Sequence, residues 1–171
     1  MRLKNEIEVI DNFLNDNHLH QLDELINNPY FAWYLQKEQV EGYGDGSFFS
    51  HLLYDWNKPQ SDLYDSVIGI FEDDLKSVSL CRITINLLLK KETLYPSAFH
   101  TDFRHMSNVD EGKITTAIFY LNTTNGATEF KGGDKIDCVR NRFVKFPALT
   151  SHRAIGQTDV NERIIINFNY V

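Results

Sequence analysis

The sequence predicts a mainly-β protein: a barrel-like antiparallel sandwich preceded by two helices. Three observations carry that class. From Leu80 onward the hydrophobic period is two, and turn-forming residues cut the chain into eight short runs. Ahead of that point, two stretches place apolar residues at helical spacing. The last run alternates strictly, with Arg163, Ile165, Asn167 and Asn169 on one face and Ile164, Ile166, Phe168 and Tyr170 on the other. An apolar outer face of that kind wants cover, and the two helices can supply it.

The first of the elements is a short strand opening in Ile7–Leu14 and breaking at Asp11-Asn12. A helix follows over Asp16–Asn27, with Leu19, Leu22, Leu25 and Ile26 on one face, Asn15 or Asp16 as its cap, and Asn27-Asn28-Pro29 as its stop. His18 and His20 on this helix read as surface residues. From Tyr30 to Trp56 the chain is aromatic and irregular, punctured by Gly42, Gly44 and Gly46. That stretch reads either as a strand pair packing aromatics on the core or as a flap over a pocket, and His51 within it as structural or substrate-facing. Pro59 introduces a second helix, roughly Gln60–Ser77, with Ser61 and Asp62 at its N-terminus. The β body then reads as strands at Leu80–Leu89, Ser97–Asp102, Ile114–Leu121, Ala127–Lys131, Lys135–Val139, Arg142–Phe146, Ser151–Ile155 and Arg163–Tyr170. Tyr95-Pro96, Asn108–Gly112, Thr123–Gly126, Gly132-Gly133 and Gly156–Asn161 are among the turn signals between them.

A chain of 171 residues suits a single domain, here a helical and aromatic-loop region over 1–79 and a β core over 80–171. Apolar residues make up 42 % and aromatic residues 13 %, which excludes a disordered chain. The formal net charge of −7 comes without any basic cluster, which disfavours generic nucleic-acid binding, although a local pocket can be basic. Cys81 and Cys138 form no metal-like pair and read as buried, reduced thiols. The N-terminus lacks an apolar signal core and no run reaches transmembrane length, so the expectation is a soluble cytoplasmic protein without a membrane partner. The oligomeric state is not legible.

The candidate chemistry lies between Ser97 and Arg163. Residues two apart on a strand share a face, so His100 and Asp102 present an imidazole and a carboxylate side by side. His152, after Pro147-Ala148-Leu149, can supply a second imidazole. Two histidines and one carboxylate occupy one face of an octahedral ion and leave three positions open, as non-haem Fe(II) requires when it must hold a co-substrate and oxygen together. Arg163 points into the barrel mouth, where a buried guanidinium needs an anion. A dicarboxylate that also chelates the metal meets both demands. Ordinary readings stay open beside these: His100 as a core histidine, Asp102 as a turn cap, His152 as a loop residue, and Arg163 paired with Glu129 or Glu162.

These residues resemble a known family. His100-Thr101-Asp102, then Phe119-Tyr120-Leu121-Asn122 with Gly126-Ala127-Thr128-Glu129-Phe130, then Phe146-Pro147, His152 and Arg163, look like the 2-oxoglutarate- and Fe(II)-dependent oxygenases, in the prolyl-4-hydroxylase-like branch. The opening Val9–Leu14, followed by a helix, is also similar to how many members begin. The resemblance implies a double-stranded β-helix, a jelly-roll or cupin-like barrel. It implies iron on His100, Asp102 and His152, which are then the catalytic set, and the distal carboxylate of 2-oxoglutarate on Arg163. Tyr120, Asn86 and Thr128 fall at positions that can contact this co-substrate. Ascorbate is a candidate reductant. The implied enzyme is a dioxygenase that consumes O2 and 2-oxoglutarate, hydroxylates a C–H bond, and releases succinate and CO2. A prolyl residue in a peptide is the first expectation for its substrate, a small molecule or free amino acid the alternative, and a cupin-like metal-binding module the non-oxygenase rival. The chain departs from the Gly-Gly of many members at Gly126-Ala127. It also lacks the Arg-x-Ser of the antibiotic-synthase branch, carries Asn169 where nucleic-acid demethylases have a second arginine, and keeps the carboxylate that halogenating members give up.

Overall fold

Two antiparallel sheets face one another in the computed structural model, which describes residues 6–44, 46–75, 78–102 and 113–171. The elements in chain order are β1 (Glu8–Asp11), α1 (Asp16–Ile26), β2 (Tyr34–Gln36), β3 (Phe48–Asp55), β4 (Lys58–Pro59), α2 (Tyr64–Ile70), α3 (Glu72–Leu75), β5 (Leu80–Leu89), β6 (Thr115–Tyr120), β7 (Ala127–Phe130), β8 (Lys135–Asp137), β9 (Arg142–Pro147), β10 (His152–Ile155) and β11 (Glu162–Tyr170). The larger sheet runs β1-β9-β6-β11-β5-β3-β2, with β4 added to β3, and the smaller runs β10-β7-β8. This is the double-stranded β-helix: β11 sits centrally, flanked by β5 and β6, while the small sheet closes the other wall.

Alternation along β11 separates two cores. Outward, Ile166 and Phe168 join Leu22 and Ile26 of α1, Val67 and Ile70 of α2, and Phe71 in one buried cluster. Inward, Ile165 packs with Ile118, Tyr120, Phe130 and Phe146 between the sheets. Burying each large apolar side chain is worth roughly 1.5–3 kcal/mol, so the helices are held by their apolar stripes. Asn15 caps α1, its Oδ1 accepting from the His18 amide at 2.9 Å. Buried Asn141 anchors the approach to that helix: its Oδ1 accepts from the Leu14 N–H at 2.8 Å and its Nδ2 donates to the Leu14 carbonyl at 2.9 Å.

Three expectations change. Ser97–Asp102 is not a regular strand: it meets β10 only through isolated bridges, Pro96 with Ile155 and His100 with His152. Four residue steps on one side answer three on the other, so one extra residue is accommodated as a bulge, which re-aims the side chains beyond it. The second helix is two short ones, α2 and α3, broken at Phe71. Ser61 does not cap α2, whose cap position is Leu63; its hydroxyl accepts from the Leu63 amide and pairs with His51 Nε2 at 2.7 Å. The aromatic stretch contributes an antiparallel pair, β2 with β3, although Tyr30, Tyr34 and Tyr43 stay exposed. Cys81 and Cys138 are free and buried. The predicted turn Asn108–Gly112 and the helix end at Lys76-Ser77 lie outside the described residues.

Candidate metal centre

His100 and His152 face each other across the bulge. The His100 amide donates to the His152 carbonyl and the His152 amide to the His100 carbonyl, both at 2.9 Å. Each ring is then oriented by its own backbone: His100 Nδ1 lies 3.2 Å from the Ala98 carbonyl and His152 Nδ1 lies 3.0 Å from the Thr150 carbonyl. A carbonyl only accepts, so these contacts place the proton on Nδ1 and leave the Nε2 lone pair free. Both Nε2 atoms face Asp102 Oδ1, at 3.8 Å for His100 and 3.5 Å for His152. Those separations are too long for hydrogen bonds and suit atoms sharing one ion. The three ligand atoms all lie within 4.8 Å of one another.

Asp102 is held in place by the other sheet. Its Oδ2 accepts from Thr116 Oγ1 at 2.7 Å and Asn169 Nδ2 at 2.8 Å, with Asn167 Nδ2 further off at 3.4 Å. Asn169 Nδ2 also donates to Thr116 Oγ1 at 2.9 Å, closing a triangle. One carboxylate oxygen is thus spent on the protein and the other is left for a ligand role. Burial pushes the Asp102 carboxyl up, but His152, the Thr116 and Asn169 hydrogen bonds and His100 outweigh it and hold it below the ordinary aspartate range.

Arg163 lies deeper and is fully buried. Neither predicted protein partner serves it: Glu129 pairs with Arg153, and Glu162 is exposed. Its contacts are weak ones, Nη1 to the Ile155 carbonyl at 3.5 Å and Nη2 to Thr128 Oγ1 at 3.3 Å, while Nε has no partner. The Tyr120 ring lies 5.5 Å from the guanidinium, and the Tyr120 hydroxyl donates to Thr128 Oγ1 at 2.8 Å. Burial pushes the Tyr120 hydroxyl up to about 12, against the lowering effects of Arg163 and Thr128. Gly126 makes room for this arginine: a Cβ there would lie 2.8 Å from the Ile155 carbonyl oxygen and 3.3 Å from Arg163 Cδ. A cavity of about 90 Å³ joins the two features, lined by Asn86, His100, Thr128, His152 and Arg163 among others. Tyr120 stands behind Thr128, outside the lining. His51 is away from the cluster, its ring nitrogens engaged with the Ala32 carbonyl and Ser61. His20 faces Glu24 on the exposed side of α1.

Sequence reasoning placed Asn167 and Asn169 on the inner face without giving them a task, and passed over Thr116. The signal was available in part: an inward column of asparagines must find partners.

No protein-family model matches the chain, and no curated protein matches it. Solved structures do. The viral collagen prolyl hydroxylase of Paramecium Bursaria Chlorella virus-1, in its 2OG complex, superposes with a TM-score of 0.61 at 16 % identity, covering 96 % of each chain. A 2OG-Fe(II) oxygenase family oxidoreductase from Burkholderia pseudomallei gives 0.65 at 14 % identity, over 96 % of this chain and 84 % of that one. A Trichoplax adhaerens prolyl hydroxylase bound to a hypoxia inducible factor peptide fragment gives 0.62 at 15 % identity, over 98 % and 84 %. The shared architecture is the double-stranded β-helix.

Proposed function

We propose that the chain is a 2-oxoglutarate- and Fe(II)-dependent dioxygenase that hydroxylates a C–H bond and releases succinate and CO2. One observation carries this reading: three ligand atoms of facial type cluster together, and the two imidazoles among them line the same cavity as a buried guanidinium that has no carboxylate partner among the described residues. Two imidazole nitrogens and one carboxylate oxygen suit non-haem Fe(II) and leave room for a chelating co-substrate. A metal-binding barrel without such a co-substrate gives Arg163 no anion, which counts against the cupin-like alternative.

His100, Asp102 and His152 are the iron ligands in this reading, and Arg163 receives the distal carboxylate of 2-oxoglutarate. When bound, the two supply the oxidation, with one oxygen atom of O2 ending in succinate and the other in the hydroxylated substrate. The chain's own contribution is positional. Thr128 Oγ1 already accepts from Tyr120 and Arg163, so its own proton is available to the anion. Tyr120 stays neutral far above physiological pH and adds no competing negative charge beneath Arg163. Leu88, Ile118 and Ile165 also line the cavity and limit water beside the ligands.

A prolyl residue in a peptide is supported by the prolyl hydroxylases among the structural neighbours. A small molecule is supported by the likeness to the carbocyclase SnoK from nogalamycin biosynthesis, at a TM-score of 0.65 and 14 % identity. The test is anaerobic addition of Fe(II) and 2-oxoglutarate, followed by oxygen and a panel of peptides, amino acids and nucleosides. The expected results are a weak visible charge-transfer band, succinate formation, and one product gaining an oxygen atom by mass spectrometry. A folded, metal-loaded protein with neither band nor turnover rejects the proposal.

A further inference from the structure

Beside the ligand cluster, a groove of about 630 Å³ reaches His100 and Asp102 and runs outward along β5. That strand presents Arg82, Thr84 and Asn86 to it in one line. Their register fixes where they stand: Arg82 lies beside Asn169, Thr84 beside Asn167, Asn86 beside Ile165, and Leu88 beside Arg163. Successive rows are roughly 6.8 Å apart along the strand, and neighbouring strands roughly 4.8 Å apart. Arg163 therefore anchors one end of the inner face, and Arg82 lies three rows away, one strand over from the Asn169 that holds Asp102.

Among the described residues neither arginine has a carboxylate partner, for different reasons. Arg163 is buried and lines the cavity. Arg82 is exposed at the groove and its guanidinium forms no hydrogen bond or ion pair with the described residues, although Asp55 stands opposite it in register. Glu41 lines the same groove from the facing loop, and the chain carries a net charge of −7. That field opposes polyanions, so a single anionic group is what this cation can select.

We infer that Arg82 receives a carboxylate of the primary substrate, which sets the substrate's reacting carbon toward His100 and Asp102 in the groove. The inference rests on the dioxygenase reading of the same site. A free amino or organic acid and an acidic residue of a peptide share this chemistry. Hydroxyl and amide groups of Ser50, Thr84 and Asn86 line the way from Arg82 to the ligand cluster and can hold the polar body of either. Arg82 thus acts as a specificity residue on the substrate side, as Arg163 does on the co-substrate side.

The test uses the full chain labelled with 15N-arginine and loaded with Zn(II) and 2-oxoglutarate. The probes are matched pairs: free amino acids against their amides, and Glu-containing peptides against the same peptides with Gln. At least one acid is expected to shift the Arg82 Nε–H resonance, identified by its loss in Arg82→Gln, with at least tenfold weaker binding of its amide partner. In the Fe(II) protein, the same acid should raise succinate formation above the substrate-free rate. That ratio should fall toward one in Arg82→Gln and be partly restored in Arg82→Lys. The arm that responds identifies the source of the carboxylate. Amides binding as well as acids, no acid moving the resonance, or full stimulation retained in Arg82→Gln each overturn the inference. If the parent never turns over 2-oxoglutarate, the dioxygenase reading fails, while the resonance titration still judges Arg82.

Discussion

Replacing Asn169 by alanine asks whether the Asp102 carboxylate binds metal only as well as its neighbours hold it. The Asn169 amide gives Asp102 Oδ2 a hydrogen bond of 2.8 Å and Thr116 Oγ1 one of 2.9 Å. Without it, Oδ2 keeps Thr116 at 2.7 Å and the long contact to Asn167 at 3.4 Å, and the carboxylate can swing away from the two imidazoles. Losing a hydrogen-bond partner behind a metal ligand typically costs ~10–100-fold in affinity. That corresponds to about 1.4–2.7 kcal/mol. Thr116→Val is the companion variant, because it removes the hydroxyl while keeping the shape of a side chain that is fully buried. Both changes loosen one carboxylate, so the double variant should lose less than the sum of the two free-energy losses. The measurement is anaerobic competition for Fe(II) against a chromophoric chelator, beside thermal melting of the metal-free proteins to register any general loss of fold. If both single variants bind Fe(II) within about twofold of the parent at unchanged stability, Asp102 is not a ligand positioned from β6 and β11.

Arg163→Met should weaken 2-oxoglutarate binding by about 30-fold or more, since losing one partner of a buried charge pair costs roughly 2–5 kcal/mol. The co-substrate-free variant should melt at the same temperature as the parent or higher, because methionine replaces a buried charge that has no carboxylate partner among the described residues; calorimetry showing unchanged affinity together with a lower melting temperature would reject the assignment. Tyr120 predicts an alkaline slope. Its hydroxyl is raised from 10.0 to about 12 in the folded state, so above pH ~10 the unfolded chain releases a proton that the folded one retains, and stability falls as pH rises. The full effect is about 3 kcal/mol, reached near the folded value. Denaturant midpoints of parent and Tyr120→Phe between pH 9 and pH 11.5 should diverge in slope by part of that amount, and parallel curves would show that the tyrosine is not buried neutral beside Arg163.

The parts of this structure that sequence reading located are those in which local pattern and tertiary burial agree. Leu80–Leu89 and the final strand are bounded by turns and carry an apolar period of two; α1 has a capping asparagine and an apolar stripe. Where the outcome depends on a distant partner, local pattern fails. The bulge in 96–100 arises from pairing with residues 152–155, and no feature of Ser97-Ala98-Phe99 alone announces it. Ser61 has the chemistry of a helix cap, yet His51, ten residues back, takes its hydroxyl. The clamp on Asp102 draws donors from β6 and β11, so it exists only once the sheet is assembled.

A further regularity links fold to chemistry. Among the described residues, the buried side-chain atoms without a hydrogen-bond partner are Gln157 Oε1, Arg163 Nε and Asn167 Oδ1. Each such group costs roughly 1–3 kcal/mol, and folded proteins tolerate few of them. Arg163 and Asn167 both line the cavity that holds His100 and His152. Gln157 is tied to the same neighbourhood, since its Nε2 donates to the carbonyl of Leu88, the residue beside Arg163 in the sheet. Unmet hydrogen-bonding capacity among the described residues is therefore gathered around this cavity rather than scattered through the core. The same inward column is satisfied at Asn169, which serves Asp102, and left open at Asn167 and Arg163. In the proposed function, an anion with acceptor oxygens would recover on binding what folding left unpaired at Arg163, and that recovery would be part of its affinity. Apolar substitution of Arg163 should thus trade ligand binding for stability in opposite directions, whereas substitution of Asn169 should lower both.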